Sequence, residues 1–294
     1  MNSRTPSPPR EGEAKALRLP SSTLGATAGP CEQEIDARWL MAYAAALGET
    51  DARYFDTGAP SGPAAHPLFS VCYEWPLAVA LRESVIGEAI APYSVHATHD
   101  VVIHRSPRAG DRLSTSARIV EVKPVKAGSL VVGRYDTVDA TGAAVTTTHY
   151  GSIYRGVACD GAVAATTSAA TAEPGAIRWE QRVEINAHLA HLYTECARIW
   201  NPIHTDIAVA RAAGLPGLIL HGTATLALAV SRVIDHELGG DPSRVRGVSV
   251  RFTGMVPMPS IVTIRGYAAS TAGIRFDAVD AAGHPVLGRG VVTP

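Results

Sequence analysis

Charge is scarce in this chain and evenly matched. Among 294 residues there are 26 Lys and Arg against 27 Asp and Glu, a formal net charge of −1. Such a balance leaves no basic stripe for nucleic acid and no field to hold an anionic membrane, so neither partner is expected. Cysteine is equally sparse. Cys31, Cys72, Cys159 and Cys196 show no CxxC or metal-ligand spacing, and read as free thiols in a reducing, cytoplasmic setting. No apolar run approaches transmembrane length, and the opening SRTPSPPREGEAK lacks the continuous apolar core of a secretory signal. What remains, 46% hydrophobic with 18% charged residues, is an ordinary globular composition.

The patterning divides the chain in two. Residues 1–30 are rich in Pro, Ser and small residues and are expected to be a disordered tail. From 31 to 156, Asp36 can cap a helix ARWLMAYAAAL that stops at Gly48, and a second helical stretch spans roughly Leu77 to Glu83. Four β-type runs follow: VHATHDVVIHR, RLSTSARIVEV, SLVVGRYDTVD and AVTTTHYGSIYR. Residues 157–174, VACDG onward, are small and polar and read as a linker. Residues 175–294 then repeat the order: a strand IRWEQRVEI, a helix from about Ala187 to Arg198, a loop, a long apolar helix, and strands VRGVSVRF, IVTIRGYAA, IRFDAVD and VLGRGVV. The repeat is visible in letters too. VDATGAAV at Val138–Val145 returns as VDAAGHPV at Val279–Val286, ETDARYFD at Glu49–Asp56 occupies the slot of IWNPIHTD at Ile199–Asp206, and His66-Pro67 that of His221-Gly222. This is an α+β chain of two copies of one unit.

The loop of the second copy, WNPIHTDIAVARAAGLPGLILHG from Trp200 to Gly222, concentrates the chemistry. Asn201-Pro202 cannot continue a helix, because the proline ring drives the residue before it out of the α region. His204 follows at the loop mouth, and after Gly222 comes TATLALAVSRVIDHEL, free of Gly and Pro and apolar on every face, hence buried. One imidazole is thereby delivered beside a helix N-terminus, where unpaired N–H groups favour developing negative charge.

The run NPIHTD, then AxAGLP, then ILHGTATLALA resembles the signature of MaoC-like dehydratases and R-specific enoyl-CoA hydratases, and AYAAALGET, HPLF and HRSPRAGDRL resemble the amino-terminal unit of their double members. The resemblance covers about residues 31–294. It implies a double hot-dog fold, two antiparallel sheets each wrapped round a long central helix, and addition of water to a trans-2-enoyl thioester or its removal from a 3R-hydroxyacyl thioester. It further implies His204 as an acid/base group, Asn201 and Pro202 as shapers of the loop, and the Gly222 N–H as the donor to the thioester carbonyl. The substrate is then an acyl-CoA or acyl-carrier-protein thioester, without cofactor, and a homodimer is expected.

One departure stands out. The family's aspartate, two residues before the Asn, is replaced here by Ile199, and Arg198 stands where glycine is common. Glu195, Asp206 and Glu49 are the candidate replacement bases, while Ile199, Trp200, His221 and Tyr54 are expected to line the pocket. Tyr54 holds the histidine slot of the first half. Loss of one positioned acid/base group is worth roughly 10²–10⁴-fold, so the alternatives to hydration are isomerisation, intramolecular conjugate addition, or acyl binding without turnover. His188, His191 and Glu195 share a helix at spacings open to a metal, but such sets are mostly exposed faces and no metal is expected. Cys196 reads as a small buried hydrophobe rather than a nucleophile. Arg105, Arg108 and Arg112 are open to either a CoA phosphate or solvent.

Overall fold

The computed structural model describes residues 17–160, 175–268 and 273–294. Ten strands form one sheet: β2 (Thr27–Glu34), β3 (Ser94–Ile103), β4 (Arg112–Val125), β5 (Gly128–Asp139), β6 (Ala144–Arg155), β8 (Ile177–Ile185), β9 (Gly247–Phe252), β10 (Ser260–Tyr267), β11 (Ile274–Asp280) and β12 (Pro285–Thr293). Their order is β2-β4-β5-β6-β3-β9-β12-β11-β10-β8. Read inward from either end, the two halves are the same sequence of strands. They meet where β3 pairs antiparallel with β9, from Thr98 opposite Arg251 to Val102 opposite Gly247. The two expected sheets are thus joined edge to edge, which buries what would be an unpaired strand edge in each half.

Each half holds a long helix against its sheet. In the first half, α1 (Ala37–Ala46) is capped as its sequence demands, Asp36 accepting from the Trp39 amide at 2.7 Å, and is followed by α2 (Ser70–Val85). The second half has α3 (Leu189–Ala197), a short α4 (Ile207–Ala212) and α5 (Gly222–Glu237). Every residue of α5 from Ala224 to Ser231 is buried, as its uninterrupted apolar composition requires. One hydrophobic core runs through both halves, taking in Tyr43, Phe69 and Leu68 with Tyr193, Leu226 and Phe276.

Three expectations are corrected. Residues 17–30, assigned in sequence to the tail, are structured: β1 (Arg18–Leu19) pairs with β7 (Ala158–Cys159), and β2 forms an outer edge of the sheet. A two-residue strand and an edge strand holding Gly29-Pro30 carry too little alternation to be read as strands. Residues 1–16, and most of the expected linker, lie outside the described residues. The second helix starts at Ser70 rather than near Leu77, because a turn at Pro67–Phe69 feeds it directly and Pro76, a residue that reads as a stop, is accommodated inside it. The segment of α4, read as loop, is a helix begun by Asp206, whose carboxylate accepts from the amides of Ala208 and Val209 at 2.8 and 3.2 Å.

Candidate active site

The loop after α3 is built by local necessity. Arg198, in the position the family commonly gives to glycine, closes α3 in the left-handed region at φ 58°. A side chain there is strained by about 1–2 kcal/mol. Its guanidinium lies 3.9 Å over the Trp39 ring and 3.7 Å from the Asp36 carboxylate, contacts that offset the strain and tie the loop to α1. Asn201 and Pro202 then open a tight turn at Pro202–His204, the His204 amide donating to the Asn201 carbonyl at 3.2 Å.

That turn points His204 at the segment before α5. Its Nδ1 donates to the Ile219 carbonyl at 3.0 Å. Ile219 is itself fixed from outside, since the amide of Leu220 donates to Val256 at 2.8 Å and that of Met258 donates to Leu218 at 3.1 Å. With Nδ1 engaged as donor, Nε2 carries the lone pair. Burial pulls the His204 pKa down to about 4, against a weaker upward pull from the Ile219 carbonyl. No carboxylate contributes, so the imidazole is a neutral base at neutral pH.

His221 stacks on it, ring centroids 3.8 Å apart and planes 29° from parallel. Thr194 on α3 holds His221 through Nε2 at 3.1 Å. Burial first and the neighbouring His204 second lower the His221 pKa to about 2. His221 precedes α5, whose first helical hydrogen bond is Thr225 N–H to the His221 carbonyl at 3.0 Å. The amides of Gly222, Thr223 and Ala224 therefore stand free of the helical ladder at its positive end. A Cβ placed on Gly222 would sit 3.2 Å from the Phe252 ring, so any side chain here crowds Phe252, the backbone φ being ordinary.

Among the described residues, none of the expected carboxylates is hydrogen-bonded to His204. Asp206 caps α4. Glu195 is exposed and lines a cleft of about 430 Å³ with His191, Trp200, Asn201 and Pro202. Glu49 is buried in the other half and bonded to Ser231 of α5, which also lies 3.2 Å from His66 Nε2. Ile199 is 3% exposed and packed into the shared core, and Trp200, expected in the pocket, is 60% exposed. Tyr54 is buried and stacks on His66 at 6.3 Å, mirroring His204 on His221. Cys196 has its thiol pushed up by burial, and then by Glu195. His191 faces the Thr205 carbonyl at 3.0 Å. Arg105 is bridged to Asp111 of its own turn and to Asp139 at the end of β5, at 2.7 and 2.9 Å, so both its charge partners lie within the first half.

Sequence reasoning missed Thr194, Phe252 and the tyrosine pair Tyr43 and Tyr193. The pair had a signal. Each tyrosine stands six residues before the slot of Glu49 or Ile199, so the repeat places both at one position of the unit. Tyr193 donates to Thr223 Oγ1 at 3.1 Å, steadying the start of α5.

Fold and site together define a duplicated helix-in-sheet protein with one histidine beside a free helix N-terminus. Residues 169–279 match the MaoC like domain, and residues 22–148 match the FAS1-like dehydratase domain region. The chain therefore carries a MaoC-like dehydratase domain in its second half and a FAS1-like dehydratase region in its first, on a double hot-dog fold. Among solved structures, a MaoC-like dehydratase from Phytophthora Capsici is 21% identical with a TM-score of 0.79, covering 92% of this chain and 96% of its own. A Mycobacterium tuberculosis protein described as having a double hotdog fold is 17% identical with a TM-score of 0.58, covering 92% of this chain and 94% of its own. Among curated relatives, the peroxisomal enoyl-CoA hydratase 2 of Arabidopsis thaliana is 40% identical over 65 residues, 22% of this chain and 21% of that protein. The fatty acid synthase beta subunit pkiC of Emericella nidulans is 43% identical over 72 residues, 24% of this chain and 4% of that subunit. The matches to these two curated relatives thus span 21% and 4% of their lengths.

Proposed function

We propose that the protein is a MaoC-type lyase acting on acyl thioesters, with His204 as its one acid/base group and the Gly222 amide as its oxyanion donor. The observation that carries this reading is the bare Nε2 of a neutral His204 beside the unpaired amides of α5. A single imidazole suffices for syn elimination. Nε2 takes the Cα proton of a 3-hydroxyacyl thioester, and the electron pair moves onto the carbonyl oxygen, which the Gly222 N–H stabilises. The imidazolium then gives that proton to the C3 hydroxyl on the same face. The C3–O bond breaks, water leaves, the C2–C3 double bond forms and His204 is neutral again. The reverse reaction must hold water without a carboxylate, and buried Ile199 supplies no acceptor for it.

The test is turnover of 3R-hydroxyacyl-CoA and trans-2-enoyl-CoA by the parent and His204→Ala, followed by the absorbance of the conjugated thioester. The variant is expected to lose about 10²–10⁴-fold. A parent inert in both directions overturns the reading.

Ile199 favours one second reading, in which a hydroxyl of the acyl chain replaces water and adds to C3 within the molecule. Turnover in oxygen-labelled water separates the two, since only hydration incorporates the label.

A further inference from the structure

The interiors of the two halves differ in kind. In the second half the sheet turns Val250, Ile264, Phe276, Ala278 and Leu287 to the inside, all apolar. The first half buries polar groups beside its apolar ones: Glu74 on α2, and His99, Thr115, Thr137, Thr146 and Thr148 on the sheet, each 5% exposed or less. Most of these satisfy one another. Glu74 accepts from Thr148 at 2.7 Å, Tyr73 and Thr146 lie 2.8 Å apart, and Thr115 and Thr137 lie 2.9 Å apart.

His99 is the exception. It is 1% exposed, and among the described residues neither of its ring nitrogens has a hydrogen-bond partner. A buried imidazole left so is costly, and such an orphan calls for a specific explanation. Burial keeps it neutral, with a pKa near 4, so it offers one N–H and one lone pair.

Its position links it to the catalytic centre. Phe252 lies 3.2 Å from where a Gly222 Cβ would stand, and His96 lies against Phe252 with centroids 4.2 Å apart. His96 also stacks on Tyr150 at 3.7 Å and meets His99 edge-on at 5.5 Å. Phe252, His96 and Tyr150 are each only partly buried. They form an aromatic wall running from the amide that would hold the thioester carbonyl to the orphaned imidazole.

We propose that His99 is a specificity-determining residue that hydrogen-bonds a hydroxyl carried on the acyl chain some carbons beyond the reacting centre, so that the preferred substrate is an oxygenated rather than a plain hydrocarbon thioester. This rests on the acyl-thioester reading above. The reaction class that supplies such a substrate is one that elongates a chain while leaving a hydroxyl in place.

The experiment compares the parent, His99→Leu and His99→Gln. Ligands are acyl-CoA thioesters of one length, either unsubstituted or with a single hydroxyl at successive carbons beyond C3, and a matching set with a ketone in its place. Dissociation constants are measured by calorimetry with saturated, non-reacting chains, and kcat and KM with the reacting ones. The parent is expected to bind one hydroxyl isomer about tenfold or more tighter than the plain chain, the size of a buried hydrogen bond. His99→Leu brings that ratio to near one, and His99→Gln, which keeps a donor and an acceptor, retains part of it. A preference for the ketone instead of the hydroxyl assigns only the N–H and overturns the hydroxyl. Equal binding of every chain by the parent, or equal weakening of plain and hydroxylated chains by His99→Leu, overturns the proposal. Because binding is read without turnover, a protein that turns over no thioester fails the proposed reaction while the binding ratio still decides this one.

Discussion

His204 and His221 lie face to face at 3.8 Å, each fixed by one neighbour: His204 by the Ile219 carbonyl, His221 by Thr194. The stack does not accommodate both rings charged at once, because two imidazolium ions at that distance repel. Burial lowers both pKa values, to about 4 and about 2.

The first prediction concerns pH. The base form of His204 persists well below the ordinary histidine range, so kcat/KM holds level through about pH 5 and falls with an apparent pKa near 4. Stability follows the same sign. Between the ordinary value of 6.5 and about 4 the unfolded chain takes up a proton that the folded one refuses, so stability drops as pH falls through that window. An acid limb near 6.5 in the pH–rate profile shows that His204 is not the titrating base.

A second prediction separates space from chemistry at Gly222. Gly222→Val drives its side chain into Phe252, and paired with Phe252→Ala it regains room. Folding, read by thermal unfolding, is expected to recover in the double variant. Displacing the oxyanion donor costs about 10²–10³ in kcat, and full kcat in the single variant Gly222→Val removes the Gly222 amide from the reaction.

The third turns on Ile199, which is 3% exposed. Ile199→Asp restores the family carboxylate beside His204, and desolvation raises its pKa. Hydration of crotonyl-CoA, slow in the parent, is expected to rise in the variant, chiefly at higher pH. Because an unpaired buried charge is costly, the midpoint of denaturation should fall as well. Fast hydration by the parent contradicts the expectation.

A fourth prediction uses Glu74, whose carboxyl is raised by burial to about 8 despite hydrogen bonds from Thr148 and Thr146. Folded protein keeps the proton while unfolded chain releases it near 4.5, so the group withdraws stability as pH rises from about 4.5 to 8. Glu74→Gln should stabilise the protein at pH 8 more than at pH 5, measured by thermal melts. A difference that does not change with pH shows that Glu74 stays ionised.

Much of this architecture was legible because period and repeat are local signals. The capping of α1 by Asp36, the nine strands read from alternation and the burial of α5 all follow from runs of adjacent residues. So does the turn that presents His204, since Asn-Pro dictates it. What could not be read lies between segments distant in sequence. Ser231 meets Glu49 and His66 across the seam, Phe252 meets Gly222 from another strand, and Thr194 meets His221 from a different helix. Glu49 and Tyr54 fall in the first-half slots of the repeat, and they gather there around His66, Tyr54 by stacking and Glu49 through Ser231.

The pairing of β3 with β9 has a thermodynamic consequence for the molecule as a whole. The two halves share one core cluster, in which Tyr43 and Phe69 pack with Tyr193 and Leu226, while the first half adds a second cluster of its own around Leu77, Ile119 and Tyr135. Melting one half strips a strand partner and a core wall from the other, so the two unfold together in one cooperative transition. A gene divided between the codons for residues 160 and 175 should accordingly yield two polypeptides that reassemble on mixing. Neither is expected to persist folded alone, because each would present an open strand edge to every other copy in solution.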